Sequence, residues 1–247
     1  KKINMIIDEN KIYALLIGKK KSTGFPGKNI MNINGQPSCE YGFQAAKRIG
    51  IKNIFVSTDC EVISKIGLKY SANLIERPPN LATPESLTED VLTHAYQEIL
   101  KIKNKPEIII LMFANNPAIS VSLISEGIKK LNEDKTFDSA FSVSKYNMFS
   151  PARARKINDG KIESFIPLNL MDNVSSIRSS QGDVYFCDLS VQVIRSRVFE
   201  NMKEGMQPFQ WMGKKSFPLK NSFGFDIDEE WQKTAIEVWL KNNWKYE

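Results

Sequence analysis

The sequence predicts an α/β protein built on one doubly wound, mostly parallel sheet. Three observations carry that reading. Strands alternate with helices of about ten residues from Ile12 to Ser144, the rhythm of βαβ units. Glu107 to Phe113 holds a continuous apolar run, typical of a parallel strand covered on both faces. The length of 247 residues suits one large domain, or one domain with a modest appendage.

Each element follows from local pattern. Ile12 to Ile17 reads as a buried strand that breaks into a loop of glycine, lysine and hydroxyl residues ending at Lys28 and Asn29. Tyr41 to Arg48 reads as a helix, Asn53 to Ser57 as a strand, and Glu61 to Tyr70 as a helix. Asn73 to Glu76 is a short strand ended by Arg77-Pro78-Pro79. Thr83-Pro84-Glu85 offers a capping hydroxyl and proline at the first helical position, so a helix is expected from there to about Lys101. Ser120 caps a helix ending near Leu131, and Ser139 to Ser144 is another strand. Residues 147 to 180 hold Pro151, Gly160, Pro167 and many Asn and Ser, which predicts an irregular hairpin or arm suited to an oligomer contact. Asp183 to Cys187 and Ser222 to Asp228 return to the sheet, and a helix from Glu229 to about Asn242 closes the chain.

Composition narrows the function classes. Apolar residues make up 42% and charged residues 25%, ordinary for a soluble protein. The longest apolar run, Ile108 to Ala114, is too short to span a bilayer, and the N-terminal residues lack the pattern of a secretory signal. The chain does not begin with Met, so its native start is left open. Cys39, Cys60 and Cys187 are odd in number and without C-x-x-C spacing; a reducing, cytoplasmic setting is expected and a zinc site is not. The net charge of +6 suits an anionic ligand, but it forms no basic stripe interleaved with aromatics, so nucleic acid is not an expected partner. His94, the single histidine, lies in a predicted helix, which leaves no base for Ser-His-Asp or Cys-His hydrolysis.

The loop Gly18 to Asn29 carries the first chemical signal. Glycines let backbone N–H groups approach oxygens, hydroxyls donate, and Lys19, Lys20, Lys21 and Lys28 neutralise charge, a combination suited to a nucleoside triphosphate. Neither G-x-x-x-x-G-K-[ST] nor G-x-G-x-x-G occurs, which excludes a P-loop and leaves a dinucleotide grip unsupported. A solvated lysine loop fits the same residues. Asp226-Ile227-Asp228 is the second signal: on a strand, both carboxylates face one way and can meet one Mg²⁺ beside substrate phosphates. Asp228 with Glu229 and Glu230 equally fits the start of the last helix. Ser57-Thr58-Asp59 sits at a strand-to-helix edge where open sheets bind ligands, and Asp59 also fits as an N-cap. Arg77 stands where it can meet a base carbonyl or a phosphate.

Taken together, these segments resemble the acylneuraminate cytidylyltransferase family, the CMP-sialic acid synthetases and their relatives for other nonulosonic acids. The likeness covers nearly the whole chain. It runs through Ser22, Gly24, Lys28 and Asn29, then Asn34-Gly35-Gln36-Pro37, Ser57-Thr58-Asp59, Arg77-Pro78 with Leu81-Ala82-Thr83, and Phe225-Asp226-Ile227-Asp228. It implies a Rossmann-like fold of the nucleotide-diphospho-sugar transferase type, with a dimerisation arm at about 147 to 180. It also implies transfer of CMP from CTP to an acidic sugar with release of pyrophosphate, for surface glycan synthesis. Carried onto this chain, Lys19, Ser22 and Lys28 would hold the triphosphate, with Gly18, Lys20, Lys21 and Gly24 also in the nucleotide site, and Lys19, Lys28, Asp226 and Asp228 would be the catalytic set. Asn29, Asp59 and Arg77 would complete the nucleotide site, and Asp226 and Asp228 would bind Mg²⁺.

Two departures stand out. The family loop reads like Arg-Gly-Gly-Ser-Lys-Gly; here Lys19 replaces the arginine, losing its bidentate geometry, and Thr23 replaces the lysine. Phe113-Ala114-Asn115-Asn116-Pro117 replaces a Leu-Gln-Pro-Thr-Ser-Pro-like segment that touches the sugar, with Phe113 in place of glutamine. The expected acceptor is therefore not ordinary sialic acid, and Phe113, Asn115, Asn116, Arg178 and Gln181 are the residues placed against it. Another NTP, a sugar-phosphate acceptor, or a nucleotide-binding homologue without catalysis remain as rival readings.

Overall fold

The computed structural model describes residues 9–22, 24–171 and 173–244. Its strands are β1 (Ile12–Ile17), β2 (Asn32–Ile33), β3 (Gln36–Pro37), β4 (Asn53–Thr58), β5 (Asn73–Glu76), β6 (Ile108–Phe113), β7 (Ser139–Lys145), β8 (Arg155–Asn158), β9 (Lys161–Ser164), β10 (Tyr185–Arg195) and β11 (Ser216–Asn221). Its α-helices are α1 (Glu40–Ile49), α2 (Glu61–Lys69), α3 (Thr88–Ile102), α4 (Val121–Glu133), α5 (Ser196–Glu200) and α6 (Glu230–Asn243). The main sheet has the order β11-β7-β10-β6-β1-β4-β5. The pairs β6–β1, β1–β4, β4–β5 and β7–β11 are parallel, while β10 runs antiparallel between β6 and β7.

Helices cover both faces, as the apolar runs predict. On one face Phe43 of α1, Ile63 of α2 and Ile124 and Ile128 of α4 pack against Ala14, Leu16, Ile110 and Met112. On the other, Leu92, Ala95 and Ile99 of α3 join Phe199 of α5 over Leu15, Phe55, Ile109 and Leu111. Alternate residues of β1 and β6 thus enter opposite cores, which is why both strands are apolar apart from the Tyr13 hydroxyl, which donates to the Asn104 carbonyl. Ser120 caps α4 as expected, its hydroxyl accepting from the Leu123 N–H.

The structure corrects three boundaries. The helix expected from Thr83 begins at Thr88. The Thr83 N–H donates to Ser86 Oγ and the two hydroxyls bond each other, so residues 83 to 86 make a turn instead. Ser222 to Asp228 is not a strand; the sheet strand there is β11, one segment earlier. Of Asp183 to Cys187 only Tyr185 to Cys187 join the sheet, as the first part of β10, which continues through a bulge to Arg195. Between β7 and β10, the segment expected as an arm contains a two-stranded hairpin of β8 and β9 flanked by 3₁₀ turns. No helix among the described residues is long and apolar enough to cross a membrane.

Candidate active site

At the C-terminal edge of β1, β4 and β6 lies a cavity of about 210 Å³. Gly18, Lys19, Ser22, Lys28 and Asn29 of the loop line one side; Arg77, Leu81, Ser86 and Thr88 line another; Phe113, Asn115 and Asp226 close the end. This is the sheet edge where parallel α/β proteins hold ligands. Ser86 and Thr88 carry no sequence signal of their own; the misplaced helix start hid them, because the turn at 83 to 86 is what brings them to the wall.

The loop is held by ties that its sequence does not advertise. Asn29 Nδ2 donates to the Lys19 carbonyl at 2.7 Å, and the Lys20 N–H donates to Asp59 Oδ1 at 2.7 Å. Asp59 therefore fixes the loop, and the residue at the N-cap of α2 is Cys60. Lys19 Nζ reaches across to the Thr83 carbonyl at 3.0 Å. Gly18 leaves no space for a side chain: a Cβ there would lie 2.5 Å from Ala114 Cβ. Lys20, Lys21 and Gly24 are exposed and stand off the cavity wall. Thr23, where the family carries lysine, lies outside the described residues.

Arg77 is buried, and its Nη2 donates to the Ser57 carbonyl at 2.8 Å. Its buried Nε has no acceptor among the described residues. Burial pulls its pKa down to about 10, against the opposing pull of Asp59, so the guanidinium stays charged at neutral pH.

Asp226 and Asp228 flank Ile227, which is fully buried among Ile33, Tyr41 and Ile236. The Ile227 N–H donates to the Asn115 carbonyl at 2.9 Å. Asp228 pairs with Lys28 across the mouth of the cleft, and Glu229, not Asp228, forms the capping box of α6 with Gln232. Burial first, and then the nearby Asp228, push the Asp226 carboxyl up to about 7, opposed by a hydrogen bond from Asn116 and the charge of Lys28.

A second cavity of about 300 Å³ adjoins the first at Asp226. Tyr146, Phe149, Phe186, Phe225 and Trp231 form its walls, and its charged lining residues are Asp188, Asp226 and Asp228. It offers ring faces and hydrogen-bond acceptors, with no cation on its walls. Of the residues expected at the acceptor, Phe113 and Asn115 reach the first cavity, whereas Asn116 is buried behind it. Arg178 and Gln181 stand apart on the arm: Arg178 lines a shallow surface depression with Lys145 and Asp183, and Gln181 accepts from Arg153. His94 lies on α3 and does not line either cavity.

A family model described as "Cytidylyltransferase" matches residues 17–159. The N-acylneuraminate cytidylyltransferase of Oncorhynchus mykiss is 25% identical over 225 residues, 91% of this chain and 49% of that protein. N-acylneuraminate cytidylyltransferase A of Danio rerio is 28% identical over 226 residues, 88% of this chain and 48% of that protein. The chain thus spans about half the length of these curated relatives. The solved CMP:2-keto-3-deoxy-manno-octonic acid synthetase complexed with CTP superposes with a TM-score of 0.64 at 15% identity, covering 94% of this chain and 98% of that one, a likeness of fold. The matched segment runs from the end of β1 through the loop, Arg77 and β6 into the arm, and so takes in most of the first cavity; this chain belongs to the cytidylyltransferase family.

Proposed function

We propose that this protein transfers CMP from CTP to an acidic sugar of the nonulosonate kind, or a related anionic acceptor, and releases pyrophosphate. The observation that carries the reading is the single cleft that joins Lys19, Ser22, Lys28, Asn29 and Arg77 to Asp226, in a chain of this family. The acceptor hydroxyl oxygen forms a bond to the α-phosphorus and gives its proton to solvent, while the bond from that phosphorus to the pyrophosphate oxygen breaks. Lys19 and Lys28 hold the departing negative charge, loop N–H groups and Ser22 orient the phosphates, and Asn29 and Arg77 hold the nucleoside end. The acceptor hydroxyl would meet the α-phosphorus beside Asp226, where the two cavities adjoin.

The donor set fits Mg²⁺. Two carboxylates at the mouth of a phosphate cleft are what that ion takes from a protein when substrate oxygens and waters supply the rest. A carboxyl pushed up to about 7 by burial and a like-charged neighbour is relieved by a nearby cation. Bound there, Mg²⁺ would offset charge on the reacting phosphates. We place the reaction in the cytoplasm, in keeping with the free thiols of Cys39, Cys60 and Cys187, and assign the product to surface glycan synthesis.

The arm supports a homodimer. Ile157 and Ile162 face each other across the β8–β9 hairpin at 81% and 76% exposure, and Phe165, Leu170 and Ile177 extend the apolar surface. Monomers rarely leave so much apolar area bare. The double substitution Ile157→Lys, Ile162→Lys is expected to shift the sedimentation coefficient from dimer to monomer; a monomeric wild type would sink the proposal.

Thermal shift with the four common NTPs tests the nucleotide. CTP is expected to raise Tm selectively, and more so with Mg²⁺, because a ligand that binds only the native state stabilises it. Pyrophosphate release with CTP and a panel of sugar acids then identifies the acceptor. No shift with any nucleotide would overturn the reading.

A further inference from the structure

We infer that Asp188 is a positioning residue, which acts through Asn116 to fix the carboxylate of Asp226 between the two cavities. Asp188 lies at the bulge of β10, where the register with β7 shifts between Cys187 and Gln192. The next residue, Leu189, takes φ 57°, a left-handed conformation that a leucine seldom adopts unless its surroundings impose it. The bulge turns the Asp188 side chain into the sheet, where it is 4% exposed.

The carboxylate is held there by four donors. Ser142 Oγ and Ser144 Oγ of β7 donate to its two oxygens, as do the Ser190 N–H at 3.0 Å and Asn221 Nδ2 at 3.1 Å. A buried charge neutralised only by dipoles is costly to build, and its oxygens have little capacity left for a ligand. Its effect passes outward through the backbone. The Asp188 carbonyl accepts from Asn116 Nδ2 at 2.9 Å, and the same Nδ2 donates to Asp226 Oδ1 at 2.9 Å. Ser190 Oγ donates to Asn116 Oδ1 at 3.2 Å, which fixes the orientation of the amide.

Asn116 is thus 1% exposed with its amide committed on both sides, a bracket between the bulge and Asp226. The chain leading to Asp226 is laid directly on that bulge. A Cβ at Gly224 would sit 2.2 Å from Ser190 Oγ and 3.1 Å from Asp188 Cγ. A polar core serving only the sheet would end at Ser142, Ser144 and Asn221. This one continues to a carboxylate that lines both cavities. Such outer partners orient a site's acting groups, and losing one typically costs about tenfold or more.

The inference rests on the reading of Asp226 as a ligand of the nucleotide cleft, and the experiment separates the two. Ser190→Ala removes one donor to Asn116 and keeps the clamp; Asp188→Asn removes the clamped charge. Crystal structures of both variants without ligand, and calorimetric titration of CTP with Mg²⁺ or with EDTA, are the readouts. The expected result is that the Asp226 side chain leaves Asn116 or splits between rotamers. With it, Kd for CTP rises about tenfold in Mg²⁺ and stays within twofold in EDTA. A merely structural role would lower Tm and weaken CTP equally in both conditions, with Asp226 in place, and would overturn the inference. Should Asp188→Asn fail to fold, Ser144→Ala, which removes one donor to the Asp188 carboxylate, decides by the same readouts. Should wild type bind no CTP, the proposed function falls, while the position of Asp226 in the variant structures still decides the role of Asp188.

Discussion

Asp226→Asn is expected to abolish most turnover and at the same time make the metal-free protein more stable above neutral pH. The loss follows from the place of the carboxylate at the junction of the two cavities. Removing a preorganised charged group from a reacting centre typically costs about 10²–10³ in kcat. The gain follows from linkage. The Asp226 pKa is raised to about 7 in the fold, above its ordinary value of 3.8, so the folded state holds a proton that the unfolded chain gives up. Stability from this group is fully present below the unfolded value and is lost as pH rises towards about 7. Asparagine keeps the acceptor for Asn116 Nδ2 and carries no charge. In EDTA the variant should exceed wild type by on the order of 1–2 kcal/mol at pH 8 and match it near pH 4, a discount on the full shift because water still reaches the cleft. Urea titrations at the two pH values, with pyrophosphate release at pH 8, check both halves. A variant that is less stable at pH 8, or that keeps wild-type turnover, contradicts the assignment.

Gly18→Val is expected to damage the fold and the cleft together. The added carbons meet Ala114 Cβ and Ile63 Cδ1, which belong to the chain after β6 and to α2, so relief requires moving β1's exit or the whole loop. Overpacking of this kind costs about 1–3 kcal/mol, and the upper end is expected where a rigid strand end and a helix close in from two sides. Because Gly18 also leads into the loop tied by Asn29 and Asp59, CTP binding should fall by more than the stability loss explains. Urea denaturation and calorimetry with CTP separate the two effects. A variant with wild-type Cm and Kd would show that the close approach at Gly18 carries no weight.

What the sequence made legible were the parts governed by period and by local chemistry. β1 and β6 announce themselves as unbroken apolar runs, Ser120 as a cap, and residues 147 to 180 as an arm. The likeness to a known family supplied the cleft residues Ser22, Lys28, Asn29 and Arg77. What stayed hidden depends on contacts between distant segments. Asp59 has the sequence signature of an N-cap, yet its partner is a loop N–H thirty-nine positions earlier. The second half of β10 was missed because Ser190 and Gln192 look like surface residues, while in the fold they satisfy buried groups: Gln192 Oε1 accepts from Trp211 Nε1 at 2.8 Å. Asn116 sits in a segment expected to touch the sugar, and only the three-dimensional arrangement shows its amide committed to Asp188, Ser190 and Asp226.

The antiparallel β10 has a consequence for the order in which the molecule is made. β7 and β11 reach the rest of the sheet only through it, since β10 alone stands between β6 and β7. As the chain leaves the ribosome, β1, β4, β5 and β6 can assemble in sequence. The outer side of β6 then stays an unpaired, wholly apolar edge until residues 185–195 follow. Everything from α4 through the arm is synthesised during that interval, when the nascent protein exposes the kind of edge that recruits other strands. The arm's length is therefore also a delay in closing the core.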